Sequence, residues 1–184
     1  MELLEALAQT FDHAAKVVAG VRPDQLDYPT PCRDWDVRAL VAHTMGVVMN
    51  MGRGASGAEL LADVNAVLLD FDVGAQFRGE TDRTLTAWTA RGLDGEVDVG
   101  AGPMPARAGI AINLLDTATH SWDIARATGQ DANLPDAVAA TALAACQSIV
   151  TDAARTFAVF DPAVPIAGTA GPTEQLVAFL GRLP

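Results

Sequence analysis

Lysine is nearly absent from this chain, and the absence narrows what it can bind. One Lys, Lys16, and eleven scattered Arg stand against 23 acidic residues, a formal net charge of −11 over 184 residues. A phosphate backbone needs clustered cations, so nucleic acid is not an expected partner, and an acidic surface matches anionic membranes poorly. Cysteine is scarce as well: Cys32 and Cys146 lie far apart without CxxC spacing, which points to buried or free thiols rather than a disulfide framework. No apolar run reaches the roughly 18 residues of a membrane span. The N-terminus, MELLEALAQTFDHAAK, is acidic and amphipathic and lacks the basic start and apolar core of a signal peptide. A soluble cytoplasmic protein is the expectation. Strand–helix alternation and a glycine-rich phosphate loop are both missing, which argues against a nucleotide-binding α/β fold.

What is present favours helix. Ala and Leu are abundant, aromatics and Val/Ile clusters few. Leu3, Leu4, Leu7, Phe11, Ala14, Val17, Val18 and Val21 recur at three-and-four spacing, the pattern of a helix facing a core. RPDQLDYPTPC, with Pro23, Pro29 and Pro31, reads as an ordered connection. Asp34 can cap a second helix over about 36–51, with Val37, Leu40, Val41, Thr44, Val47 and Val48 inward, ended by Gly52, Gly54 and Gly57. Periodicity predicts a short helix over 58–69 and a longer one over 73–90, with Phe77, Leu85 and Trp88 in the core. Residues 92–105 are too rich in Gly and Pro for a regular helix, with a short extended piece at 96–99. A long helix over 105–128 stops at Gly129, another spans 136–157, and a last short one starts at Thr173. Length and layout fit one helix-bundle domain over 1–184.

The polar residues of chemical interest sit on two of these helices. Asp116 and His120, at i and i+4, leave one helix face a turn apart, the separation at which two side chains grip one ion. His43 shares the apolar side of the second helix with Leu40 and Val47. Three N/O ligands from two helices suit a zinc-like ion with one position left open. The plainer alternative is a hydrogen-bonded core histidine and a local Asp–His contact. A buried Asp is costly without a cation or partner, which favours the ion. Asp123, three beyond His120, can orient that imidazole or instead pair with Arg126 at the surface. His13 reads as a surface or core-edge residue rather than a fourth ligand. Cys32 reads as packed, with no base in evidence for a catalytic thiol. Trp35 and Trp122 read as core anchors or as walls of a pocket.

The run YPTPCRDWDVRALVAHTMG, the later LLDTATHSWDIARATGQ and the closing LVAFLGR together resemble an actinobacterial family of metal-binding proteins. That family is related to the N-terminal domain of mycothiol-dependent maleylpyruvate isomerase and, more distantly, to DinB/YfiT-like proteins. The resemblance implies an all-α, up-down-down-up four-helix bundle holding one divalent metal, zinc first and nickel second. By motif position the ligands fall on His43, Asp116 and His120. The isomerase carries Glu where this chain has Asp116, and an additional C-terminal domain for which 184 residues leave no room.

Three functions follow as expectations, since one fold hosts many chemistries. The first is a metal-dependent enzyme using a low-molecular-weight thiol of the mycothiol type, for S-transfer to or isomerisation of a small electrophile. Asp123 or a bound water would move protons there. The second is a non-catalytic metal or small-ligand binding protein, and the third a metal-dependent hydrolase. The expected partners are a small-molecule substrate or thiol, and a homodimer is an arrangement such bundles adopt.

Overall fold

The computed structural model describes residues 1–150 and 161–184. Four long helices form the bundle: α1 (Leu3–Ala19), α2 (Val37–Ser56), α3 (Val73–Arg91) and α4 (Ala106–Thr128). Two more, α5 (Asp136–Ile149) and α6 (Pro172–Phe179), follow, with a short 3₁₀ turn at Pro23–Gln25 before α2. Of the helix expected over 136–157, Asp136–Ile149 is helical, and the part of that expectation over 151–157 lies outside the described residues. α1 packs on α3 and α4, α2 packs on the same two, and α5 covers α4.

Contacts fix the helix directions. Gly74 at the start of α3 sits against Ala19 at the end of α1, and Arg78 pairs with Asp12, so α1 and α3 are antiparallel. Gln130, just past α4, donates to the Val17 carbonyl near the end of α1, so α1 and α4 run together. Gly54 near the end of α2 and Gly109 near the start of α4 both press on the short strand Glu96–Asp98. α2 and α4 therefore oppose one another, and the order is up-down-down-up. That strand is the expected extended piece; it pairs antiparallel with Pro103–Pro105, Val97 facing Met104.

Two successive helices that run the same way, α2 and α3, force the chain to return along the bundle between them. A 20-residue helix is about 30 Å long, and sixteen residues coiled as helix would span only about 24 Å. Residues 57–72 are accordingly irregular and extended, not helical, which corrects the helix expected over 58–69. The return path is visible in its contacts. Leu61 N donates to Asn50 Oδ1, the Val64 carbonyl lies over Gly46, and Asn65 reaches His43. The apolar residues that imitated a helical period, Leu61, Val64, Val67 and Leu69, are half-buried along this path.

The ends of α2 also differ from expectation. Asp36, not Asp34, caps it, accepting a hydrogen bond from Ala39 N at 2.8 Å. At the other end the helix continues through Gly52 and Gly54 and stops at Gly57, which takes the left-handed conformation with φ 71°. Gly52 and Gly54 are there for close approach, against Thr84 and the Asp98 carbonyl. In α3, Phe77 and Trp88 are fully buried, whereas Leu85 is half-buried. α4 is buried nearly all round, which lets it carry polar groups into the interior. Among the described residues no helix is long and apolar enough to cross a membrane.

Gly46 tests the return path. A Cβ there would come 1.9 Å from the Val64 carbonyl oxygen, backbone that cannot swing aside. The helix-propensity gain of Ala, about 1 kcal/mol, is outweighed by overpacking. Gly46→Ala should cost a net of about 1–2 kcal/mol and lower Tm by about 4 °C. An unchanged or raised Tm in a thermal melt would show that residues 57–72 do not lie against α2.

Candidate metal centre

The helices of the α2–α4 interface bring His43, Asp116 and His120 together. His43 Nε2 lies 3.7 Å and His120 Nε2 3.5 Å from the same oxygen, Asp116 Oδ1. One ligand atom from each of the three falls within 4.8 Å of the others. The side chains are 11–17% exposed. All three expected ligand residues are therefore in one place.

The outer partners of the imidazoles define which nitrogen faces inward. His43 Nδ1 is 2.7 Å from Asn65 Oδ1, and His120 Nδ1 is 3.1 Å from Asp123 Oδ2. A carboxylate only accepts, so His120 donates from Nδ1, and the neutral ring presents a bare Nε2 lone pair to Asp116. His43 does the same toward the amide oxygen of Asn65. Two lone pairs and a carboxylate oxygen then confront each other at separations longer than a hydrogen bond. Such an arrangement calls for positive charge between them. Without an ion it comes from protons: burial pulls the His43 pKa down, but Asp116, helped by Asn65, outweighs it and the net shift is upward.

The donor set fits a divalent ion. Two ligands each about 2.1 Å from a tetrahedral zinc stand about 3.4 Å apart, close to the spacings here. Asp116 Oδ2, buried, has no hydrogen-bond partner among the described residues, so this carboxylate has unspent capacity. Three side chains leave room for one exogenous ligand.

The segment before α2 covers the cluster. Thr30 Oγ1 donates to the carbonyls of Cys32 and Trp35, and Pro29 bridges to Asp36, making a tight loop. That loop sets the Trp35 ring 4.2 Å from the His43 ring and 5.9 Å from that of His120. Trp35 thus walls the centre, while Trp122 is a core residue whose ring lies 5.5 Å from the Arg126 guanidinium. Arg126 is thereby not the partner of Asp123. Cys32, a half-buried free thiol, comes within 4.8 Å of ligand atoms of His120 and Asp123. The sequence put no base in evidence for this thiol, and the structure places the His120 imidazole and the Asp123 carboxylate near it. Burial nevertheless pushes the thiol pKa up, partly opposed by Arg182. Asp123 is fully buried with both oxygens engaged by Arg182, at 3.4 and 3.0 Å, so it orients His120 and has no free lone pair aimed at solvent. That guanidinium disfavours a second cation at Cys32, His120 and Asp123. His13 belongs to neither cluster among the described residues.

Two groups escaped sequence reasoning. Asn65 lay in a stretch whose apolar spacing imitated a helix. Arg182 lies 59 residues after Asp123, beyond any local pattern.

A DinB-like all-α bundle with an N/O side-chain cluster between its helices is the class these features define. The chain belongs to the mycothiol maleylpyruvate isomerase N-terminal domain family, whose sequence model matches residues 7–125. That stretch contains every residue of the cluster and ends before Arg182. Two uncharacterised proteins, from two strains of Mycobacterium tuberculosis, are each 32% identical to it over 184 residues, covering 99% of this chain and 98% of theirs. No solved structure matches.

Two outcomes follow from the burial pattern. Asp123→Ala leaves the Arg182 guanidinium, 14% exposed, without its partner. It should lower unfolding free energy by about 3 kcal/mol in urea titration; a change within 0.5 kcal/mol would contradict a fixed pair. His13 has its pKa lowered, chiefly by burial and further by Lys16, against an upward pull from Asp131. The unfolded chain then holds more protons between the folded value and 6.5, so stability rises with pH through that window. Proton NMR should find the His13 midpoint below 6.5; a midpoint above it would contradict the burial.

Proposed function

We propose that the protein binds one divalent metal ion, zinc in preference to nickel, through His43, Asp116 and His120. We further propose that it is a mycothiol-related enzyme that brings a low-molecular-weight thiol to a small electrophile. The carrying observation is the convergence of two imidazole Nε2 atoms on Asp116 Oδ1 at 3.7 and 3.5 Å. Both Nδ1 atoms are already occupied by Asn65 and Asp123. Family membership supports the thiol, because the family is described by a mycothiol-dependent isomerase.

A divalent ion held by His43, Asp116 and His120 would supply Lewis acidity there. The chain's own residues do the rest. Asn65 and Asp123 hold the imidazoles in the tautomer that exposes Nε2. Asp116 supplies negative charge from within the bundle. Trp35 covers the rings and restricts solvent, providing an apolar wall for the substrate. In S-transfer the thiol gives up its proton and its sulfur forms a C–S bond as the leaving group departs with that proton. In isomerisation the C–S bond forms and later breaks, and the thiol is regenerated. Asp123, the carboxylate on His120, has both oxygens committed to Arg182, which counts against its activating water for hydrolysis.

Plasma mass spectrometry on tag-free protein tests the first half. Near-stoichiometric zinc or nickel is expected in the wild type and should be lost in His43→Ala and Asp116→Ala. A wild type that stays empty after incubation with either metal removes the reading. For the second half, mycothiol or a surrogate thiol should perturb the visible spectrum of the cobalt-substituted protein. A spectrum indifferent to thiol, with no heat of binding, leaves a metal-binding protein that is not a thiol enzyme.

A further inference from the structure

Arg182, beyond the family-matched stretch, follows α6 and returns to the outer side of the metal cluster. Its Nε and Nη2 donate to the two oxygens of Asp123 at 3.4 and 3.0 Å, and its Nη1 donates to the Leu180 carbonyl at 3.1 Å. With its fork on Asp123 and its remaining arm on the backbone, Arg182 is turned away from substrate binding. Asp123, fully buried, also accepts at Oδ2 from His120 Nδ1 at 3.1 Å. Cys32 and Asp161 are the other titratable groups close to the guanidinium.

We propose that Arg182 is a positioning residue for His120, acting through Asp123. A guanidinium fork bonded to both oxygens fixes the plane of a carboxylate, which a point charge cannot do. With that plane fixed, Oδ2 stays aimed at Nδ1–H and His120 keeps Nε2 bare toward Asp116. His43 is held differently: among the described residues its Nδ1 meets neutral Asn65 on the return segment. The two ligating histidines are thus clamped unequally, His120 by a chain of three residues that includes the C-terminal segment. The functional meaning rests on the metal-binding reading above, whereas the effect on the tautomer does not.

The test separates the two. The wild type, Arg182→Met, Arg182→Lys, Asp123→Asn and the Arg182→Met/Asp123→Asn double variant are labelled with ¹⁵N-histidine. Each is examined metal-free by NMR, and zinc affinity is measured by competition with a chromophoric chelator. The wild type should show His120 as the Nδ1–H tautomer. Arg182→Met should turn this into a mixture and weaken zinc binding by about tenfold or more. Arg182→Lys should recover only part of both. In the Asp123→Asn background the Met substitution should change zinc affinity by less than about twofold, since coupled residues are not additive.

Wild-type tautomer and wild-type affinity in Arg182→Met, with only Tm lowered, would make Arg182 an anchor for the chain end and overturn the proposal. Equal losses with and without Asp123 would overturn it too. Should the Met variant not fold, Arg182→Lys decides, and a wild-type tautomer there defeats the fork argument. If the wild type itself takes up no zinc, the metal reading fails and the tautomer result alone decides the role of Arg182.

Discussion

A carboxylate inside a helical bundle is the constraint around which this molecule is organised. Asp116 is 17% exposed in its side chain, and one of its oxygens is buried without a partner among the described residues. Leaving such a group ionised costs several kcal/mol unless opposite charge meets it. The nearest candidates, the Nε2 atoms of His43 and His120, are prevented by their own Nδ1 partners from donating in the neutral form. The site therefore needs a cation, whether protons or a metal ion. Everything else near the cluster determines which of these it takes and how firmly the rings are held.

The bundle topology does more than enclose the cluster. Because α2 and α3 run in the same direction, the connecting segment must travel back along α2, and in doing so it passes His43. Gly46 permits the close approach, Asn50 ties down Leu61, and Asn65 arrives at Nδ1. One outer partner of the centre is thus a by-product of an up-down-down-up path. The other, Asp123, comes from α4 itself, one turn beyond His120. The loop before α2 contributes Trp35 and Cys32 from a third direction. Helices supply the three clustered side chains, and connections supply much of what surrounds them.

This division explains what could be read from the sequence. That His43, Asp116 and His120 would share one place was legible because helical spacing is local: Asp116 and His120 are four apart, and His43 falls on an apolar face. The helix boundaries of α1, α3 and α4 follow from periodicity and from the glycine ending α4. Residues 57–72 were misleading because their apolar spacing satisfies packing along α2, and a length requirement imposed by topology overrides local period. Gly52 and Gly54 look like helix ends in sequence, yet they serve close contacts with Thr84 and the Asp98 carbonyl. Asp34 and Asp36 are equivalent as caps on composition alone; only the turn held by Thr30 selects Asp36. The link from Arg182 to Asp123 crosses 59 residues and has no local trace.

The same division bears on what distinguishes this chain within its family. The family match covers the bundle and the cluster, which are the parts set by helix geometry. The C-terminal part lies outside it. There α5 covers α4 and α6 packs on α5, while Thr173 binds both the N–H and the carbonyl of Leu134. This scaffold delivers Arg182 to Asp123 and so joins the segment after α6 to the His120 imidazole. A side-chain cluster does not by itself decide what a fold does, and the groups around it matter as much. Around His43, Asp116 and His120 these are the Trp35 loop, which meets both rings, and the segment after α6, which reaches His120 through Asp123.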